Sequence, residues 1–205
     1  MRTKRTITLG LLGAGLLLAG TTLLDPAEWT LTPQSRIWFT GTSSAYDWIC
    51  TANDVRGTLS FEIGDAVRTG ENVASMKATV PVQVLDCGHP NMDRDLQQAL
   101  KADAFPEVTY ELISAEIIPR SMNDAAFSIR TLGTISAAGA EHNVWADIVG
   151  ERQDDGTIVF QGEVPLRMSD FGIEPPQPKH LKAGDDIVVQ FYLVAGEASP
   201  VVTSN

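Results

Sequence analysis

Residues 126–168 read AFSIRTLGTISAAGAEHNVWADIVGERQDDGTIVFQGEVPLRM, and their reading decides the fold. Three runs, 126–137, 142–151 and 157–168, carry the alternation and β-branched content of half-buried strands. The breaks between them hold Ala138-Gly139-Ala140 and Asp154-Asp155-Gly156, which suit short hairpins. Parallel pairing would need crossovers of about a dozen residues. The three runs are therefore antiparallel neighbours.

Working outward, the same signature recurs at 29–42, 55–62, 73–85, 107–118 and 186–195, with Asn123-Asp124 as another turn. The chain then reads as all-β, with eight up-and-down strands whose short loops favour a closed antiparallel barrel over a sandwich. One segment departs from this. At 91–101, Met92, Leu96, Ala99 and Leu100 recur at helical spacing and the pattern stops before Pro106, which predicts a short amphipathic helix capping one end. Pro81 and Pro165 each remove a ladder donor, so their strands are expected to bulge or to border a seam of incomplete pairing. The barrel domain is placed at 28–196, with a disordered polar tail at 197–205.

The 205 residues carry 15 Lys plus Arg against 26 Asp plus Glu, a net charge of -11 that would repel nucleic acid. The basic group Arg2, Lys4 and Arg5 precedes an uncharged apolar run at 7–24. Residues 1–27 therefore read as a signal peptide, with an uncleaved helix tethering the protein to the inner membrane as the alternative. Either way the domain is exported, to the periplasm or beyond. In such an oxidising compartment Cys50 and Cys87 are expected to pair. A thiol nucleophile and a metal ligand are the competing readings, but CxxC spacing and a second Cys/His cluster are both lacking.

An eight-stranded barrel has room for its own side chains or for one small ligand. The more apolar parity of each strand gives the inward set. Ile37 and Phe39 come from the first strand and Leu59 and Phe61 from the second. Val82 and Val84 follow in the third, Tyr110 and Leu112 in the fourth, and Ile129 with Gly133 in the fifth. Leu166, Met168 and Phe171 come from the seventh strand and its exit, and Phe191 from the last. Gly133 at inward parity is expected to leave space. Periodicity does not distinguish a packed core from a lipid-lined lumen, and both readings stand.

Catalytic constellations are not evident. His89, His142 and His180 stand in unrelated loops or strand ends, and no strand-turn-helix elbow presents a serine. His89 with Asp93 supplies two ligands where a metal needs three or four, and Asp170 reads as a turn residue. No catalytic residue, metal or cofactor is expected.

The chain resembles the YceI-like polyisoprenoid-binding proteins. The likeness rests on Ser35-Arg36-Ile37-Trp38-Phe39, Val55-Arg56-Gly57-Thr58-Leu59, Phe105-Pro106-Glu107-Val108-Thr109-Tyr110, Leu132-Gly133-Thr134-Ile135, and Met168-Ser169-Asp170-Phe171-Gly172 before Lys182-Ala183-Gly184-Asp185-Asp186. The resemblance runs from about Trp29 to Ala195. Trp48-Ile49-Cys50 and Asp86-Cys87-Gly88 mark a variant branch with a Cys pair. The resemblance implies a lipocalin-like barrel holding an isoprenoid chain, as quinone or polyprenyl lipid, for carriage or sequestration. A packed envelope protein without ligand and an enzyme acting on such a lipid are the alternatives. Lys179, His180 and Lys182 are the head-group candidates, while the acidic charge favours a neutral, quinone-like head group.

Overall fold

A computed structural model of the chain describes residues 28–61, 74–119, 126–175 and 182–198. The expected signal or anchor helix at 1–27 and the tail from 199 onward lie outside the described residues, as do Lys179 and His180.

The first expected strand is two strands joined by a bend, β1 (Glu28–Leu31) and β2 (Arg36–Ser43). Pro33 falls in the bend, and Ser35 holds it. Ser35 is buried, its Oγ donates to the Val194 carbonyl at 3.3 Å, and it accepts from the Val194 amide at 3.0 Å. A side chain thus supplies the bonds that the interrupted backbone cannot. The second expected strand, 55–62, is β4 (Arg56–Phe61), and a further strand, β3 (Asp47–Ala52), precedes it. The sequence reading missed β3 because Asp47, Trp48 and Ile49 blur the alternation there. β5 (Ala74–Pro81), β6 (Glu107–Pro119), β7 (Ala126–Ala137), β8 (Ala140–Arg152), β9 (Ile158–Arg167) and β10 (Ala183–Glu197) follow.

All pairings between these strands are antiparallel, in the order β1-β4-β5-β6-β7-β8-β9-β10, and β1 also pairs β10. That closes an eight-membered ring. The β2–β3 hairpin extends the wall along β10 from Ala183 to Tyr192.

Both prolines mark seams. β5 ends at Pro81, and Val82–Val84 is a 3-10 turn rather than strand, so the expected run to residue 85 is too long. Beyond it, the backbone of β3 meets this segment at Thr51 and Asp86, which exchange bonds of 2.8 and 2.9 Å. The second seam lies between β8 and β9. Their ladder runs from Arg152↔Ile158 to Ile148↔Gly162 and stops, leaving Pro165 beyond it.

The gap left by β5 is covered by α1 (Pro90–Ala99), within a residue or two of the expected helix. Pro90 at its first position has the φ a helix start requires, and His89 caps it by accepting the Asn91 amide on Nδ1 at 3.2 Å. Leu96 and Ala99 pack on the main core. α1, the β2–β3 hairpin and the 3-10 turn Met168–Phe171 lie at one end of the barrel, where β10 begins. At the opposite end stand Glu28, Phe61, the β8–β9 turn and Glu197, which pairs with Trp29 inside β10 and so does not begin the tail.

Candidate functional site

The barrel encloses a cavity of about 360 Å³ whose walls are almost wholly apolar. That volume lies within the range of about 300–1,000 Å³ typical of small-molecule pockets. The lumen is therefore not packed shut.

Of the residues expected to face inward, Ile37, Phe39, Leu59, Tyr110, Leu112, Ile129, Leu166, Met168, Phe171 and Phe191 line this cavity. Three do not. Val84 is 40% exposed, because the 3-10 turn after Pro81 breaks the alternation that had placed it inside. Val82 is buried in the main core without reaching the cavity wall. Gly133 faces inward but leaves no space, since a Cβ built on it would lie 2.3 Å from ring carbons of Tyr110. The Tyr110 ring lies over the glycine and forms the wall itself. The side chain of Phe61 lies outside the described residues.

The same device recurs across the strand pairs Gly41↔Trp48, Gly150↔Phe127 and Gly162↔Phe191. In each, the aromatic ring stands where the glycine's Cβ would be. Rings flattened against the wall by neighbouring glycines leave the centre of the lumen open.

The reading by parity overlooked Val144, Ala146 and Ile148 of β8, although they alternate with polar Asn143 and Asp147. It also lost the far half of β6. Ile113 is an extra residue in a β-bulge between Leu112↔Gly133 and Ser114↔Leu132, and after it Ala115 rather than Ser114 lines the cavity.

Polar groups in the deep part of the cavity bond one another. Burial pushes the Tyr110 phenol above its ordinary value of 10.0, an effect partly offset by its hydrogen bond to Thr131. Thr131, itself buried, donates from Oγ1 to the Ala146 carbonyl at 3.2 Å. With its hydroxyls engaged in this way, the deep lumen suits hydrocarbon.

Polar residues line the cavity toward both ends: Ser60 and Ser75, whose hydroxyls bond each other at 2.8 Å, opposite α1, and a larger group at the end that holds α1. Ser43, Tyr46 and Trp48 of the β2–β3 hairpin line the cavity there, with Met92, Asp95, Leu96 and Ala99 of α1. Asp95 is the one side chain in the described lining that ordinarily carries a charge. Cys50 and Cys87 are bonded to each other, as expected, and both also reach the cavity wall. Lys182 is exposed beside this end, its amide donating to Ser44 Oγ at 3.2 Å and its carbonyl accepting from the Ser44 amide at 2.9 Å.

The residues weighed for chemistry have structural partners. Asp93 Oδ1 accepts the Cys87 amide at 2.7 Å, and Asp93 meets His89 through the backbone, its amide donating to the His89 carbonyl at 3.1 Å. His142 stacks edge-on against Phe171 with centroids 5.8 Å apart. Asp170 sits in the 3-10 turn and pairs with Arg167 at 3.0 Å. Arg130 points outside, to Asp147 at 2.9 Å. Among the described residues no group of three His, Cys, Asp or Glu side chains is placed to hold a metal ion.

Residues 29–195 match the family model described as a YceI-like domain. Solved structures with the same fold include Burkholderia cenocepacia BcnA, at 17% identity and TM-score 0.65, covering 81% of this chain and 99% of that one. A polyisoprenoid-binding domain from Saccharophagus degradans, implicated in plant cell wall breakdown, is 10% identical with TM-score 0.68, covering 85% of this chain and 100% of its own. The Campylobacter jejuni YceI protein is 18% identical with TM-score 0.54, covering 73% and 84% respectively. No curated protein matches the chain.

Proposed function

The chain belongs to the YceI-like family, and we propose that it is an exported carrier or sequestering protein that holds the apolar chain of an isoprenoid-type lipid in its lumen. The observation that carries this reading is the apolar cavity of about 360 Å³ running through the barrel. Each methylene moved from water into such a lumen contributes about 0.8 kcal/mol, so a long chain binds tightly without specific contacts. The Saccharophagus degradans structure, described as a polyisoprenoid-binding domain, supports the same class of ligand.

The head group is proposed to be neutral and quinone-like rather than a diphosphate. Asp95 stands in the lining toward the α1 end and the chain's net charge is -11. Desolvating a diphosphate beside them is costly without firm cationic partners. Lys182 is close enough to that end to be the cation that a diphosphate would need.

Organic extraction and native mass spectrometry of protein purified from its own envelope test the reading, with a co-purifying isoprenoid amphiphile as the expected result. A protein of bare mass, which also fails to take up a quinone or a polyprenyl diphosphate after extraction, would end it. Binding of the diphosphate that weakens with salt and falls in Lys182→Ala would reverse the head-group assignment.

A further inference from the structure

α1 contributes four residues to the cavity lining, yet none of its residues is fully buried. Its two flanks are held far more firmly. On the N-terminal side Asp86 exchanges two backbone bonds with Thr51, and Cys87 is bonded to Cys50 of β3, which is only 2% exposed. On the C-terminal side Leu100 and Ala102 are buried, and the Lys101 ammonium donates to the Ala138 carbonyl at 3.2 Å. Gly88, with left-handed backbone at φ +76°, stands between the N-terminal anchor and the helix, whereas Lys101, at φ +53°, lies inside the C-terminal anchor between Leu100 and Ala102. Nothing lies within 4 Å of where a Cβ on Gly88 would be. A helix with no fully buried residue, rooted in the core at its C-terminal flank and joined to its N-terminal flank through one irregular backbone position, has the construction of a hinged cover.

We propose that α1 is the lid of the lumen, its N-terminal end swinging at Gly88 about the fixed Leu100–Ala102 turn to admit an apolar chain between Leu96 and the β2–β3 hairpin, and that Cys50–Cys87 is the tether that limits the swing. The inference rests on the carrier reading and adds the route of entry. It also assigns the disulfide a second role besides stability. With the bond intact, the N-terminal hinge is pinned to β3 one residue before Gly88. With it broken, the Thr51–Asp86 pair alone holds that flank to β3.

The tether is removed by a dithiol reductant. Its thiolate attacks Cys87 Sγ and expels the Cys50 thiolate, and its second thiol then displaces Cys87. The reductant departs as a cyclic disulfide and both cysteines, after protonation, are thiols.

The test is stopped-flow binding of a fluorescent polyene fatty acid to three forms: the oxidised protein, the reduced protein, and oxidised Met92→Ala/Leu96→Ala, whose lid face is trimmed while the tether stays. Reduction is expected to raise association and dissociation rates together by about tenfold, with little change in Kd, because a gate changes the barrier and not the bound state. The trimmed lid is expected to release the probe faster than the unaltered oxidised protein. Far-UV circular dichroism shows whether the reduced barrel stays folded, and if it does not, the trimmed variant decides. Probe binding with rates unchanged in the folded reduced form or in the trimmed variant would overturn the lid alone and direct attention to the β8–β9 seam as the entrance. Failure of the oxidised protein to bind the probe at all would overturn the carrier reading and the lid with it.

Discussion

At the end of the barrel where the described chain begins, Trp29 lies buried beside Leu59 in the ladder, Ala195 has no exposed surface, and Ile158, its cross-strand partner, has none either. At the other end α1 covers the cavity without burying one residue completely, and a covalent bond fastens its lead-in to β3. Among the described residues, one end is held by packing and the other by a tether. The difference teaches where each kind of stability is useful: close packing makes a permanent floor, because interiors at crystal-like density do not open by degrees. A lightly packed cover held at its flanks can move without unfolding the wall.

Breaking the tether should have the largest effect. Cys50→Ser/Cys87→Ser releases a loop with a sequence separation of 37 residues, and the chain-entropy relation puts the loss near 4 kcal/mol in denaturant unfolding. A loss much smaller than this would show that the bond serves the lid rather than the fold.

At the floor, Ile158→Ala should cost about 3 kcal/mol, since a fully enclosed isoleucine leaves a cavity that its neighbours cannot fill. Leu96→Ala in α1 should cost about 1 kcal/mol or less, because the cover can settle. Equal losses by equilibrium unfolding would abolish the contrast between the two ends.

In the wall between them, Gly133→Ala should cost about 2 kcal/mol by forcing the Tyr110 ring inward. Probe capacity should fall with it, and Gly133→Ala/Tyr110→Leu should recover both. An unaltered capacity in Gly133→Ala would mean that the Tyr110 ring does not bound the lumen.

The smallest expected effect is a pH dependence. Tyr110 is raised above 10.0 by burial, so its neutral form is favoured in the folded barrel and the unfolded chain ionises first. Its contribution to stability is whole below pH 10 and is lost as pH rises through the folded value. Alkaline unfolding curves of the protein and of Tyr110→Phe should differ in slope above pH 10, and parallel curves would show that the phenol is not desolvated.

Much of this was legible in the sequence for a physical reason: side-chain alternation is local and a strand imposes it whatever its neighbours do. β7, β9 and the helix fell within a few residues of their expected bounds, and Pro81 and Pro165 marked seams because a missing N–H is a property of the residue itself. The inward set failed where the period itself was interrupted. Val84 follows a proline that ends its strand, and Ala115 follows a bulge that no composition signals. Gly133 shows a different limit. Its missing side chain was visible, but whether the space would be lumen or ring depended on Tyr110 across the ladder.

By itself the sequence determined an antiparallel barrel of alternating strands and a capping helix, because each follows from residue type and short-range spacing, and it made the Cys50–Cys87 pair the expectation for an exported chain with two cysteines. Tertiary structure alone decided that the first strand bends at Ser35, which is secured by Val194 at a separation of 159 residues. It also decided that aromatic rings lie flat on glycines of adjacent strands, and that the lumen is a cavity rather than a packed core. A cavity is the volume left over when every surrounding side chain has taken its place, and no single stretch of chain contains that information.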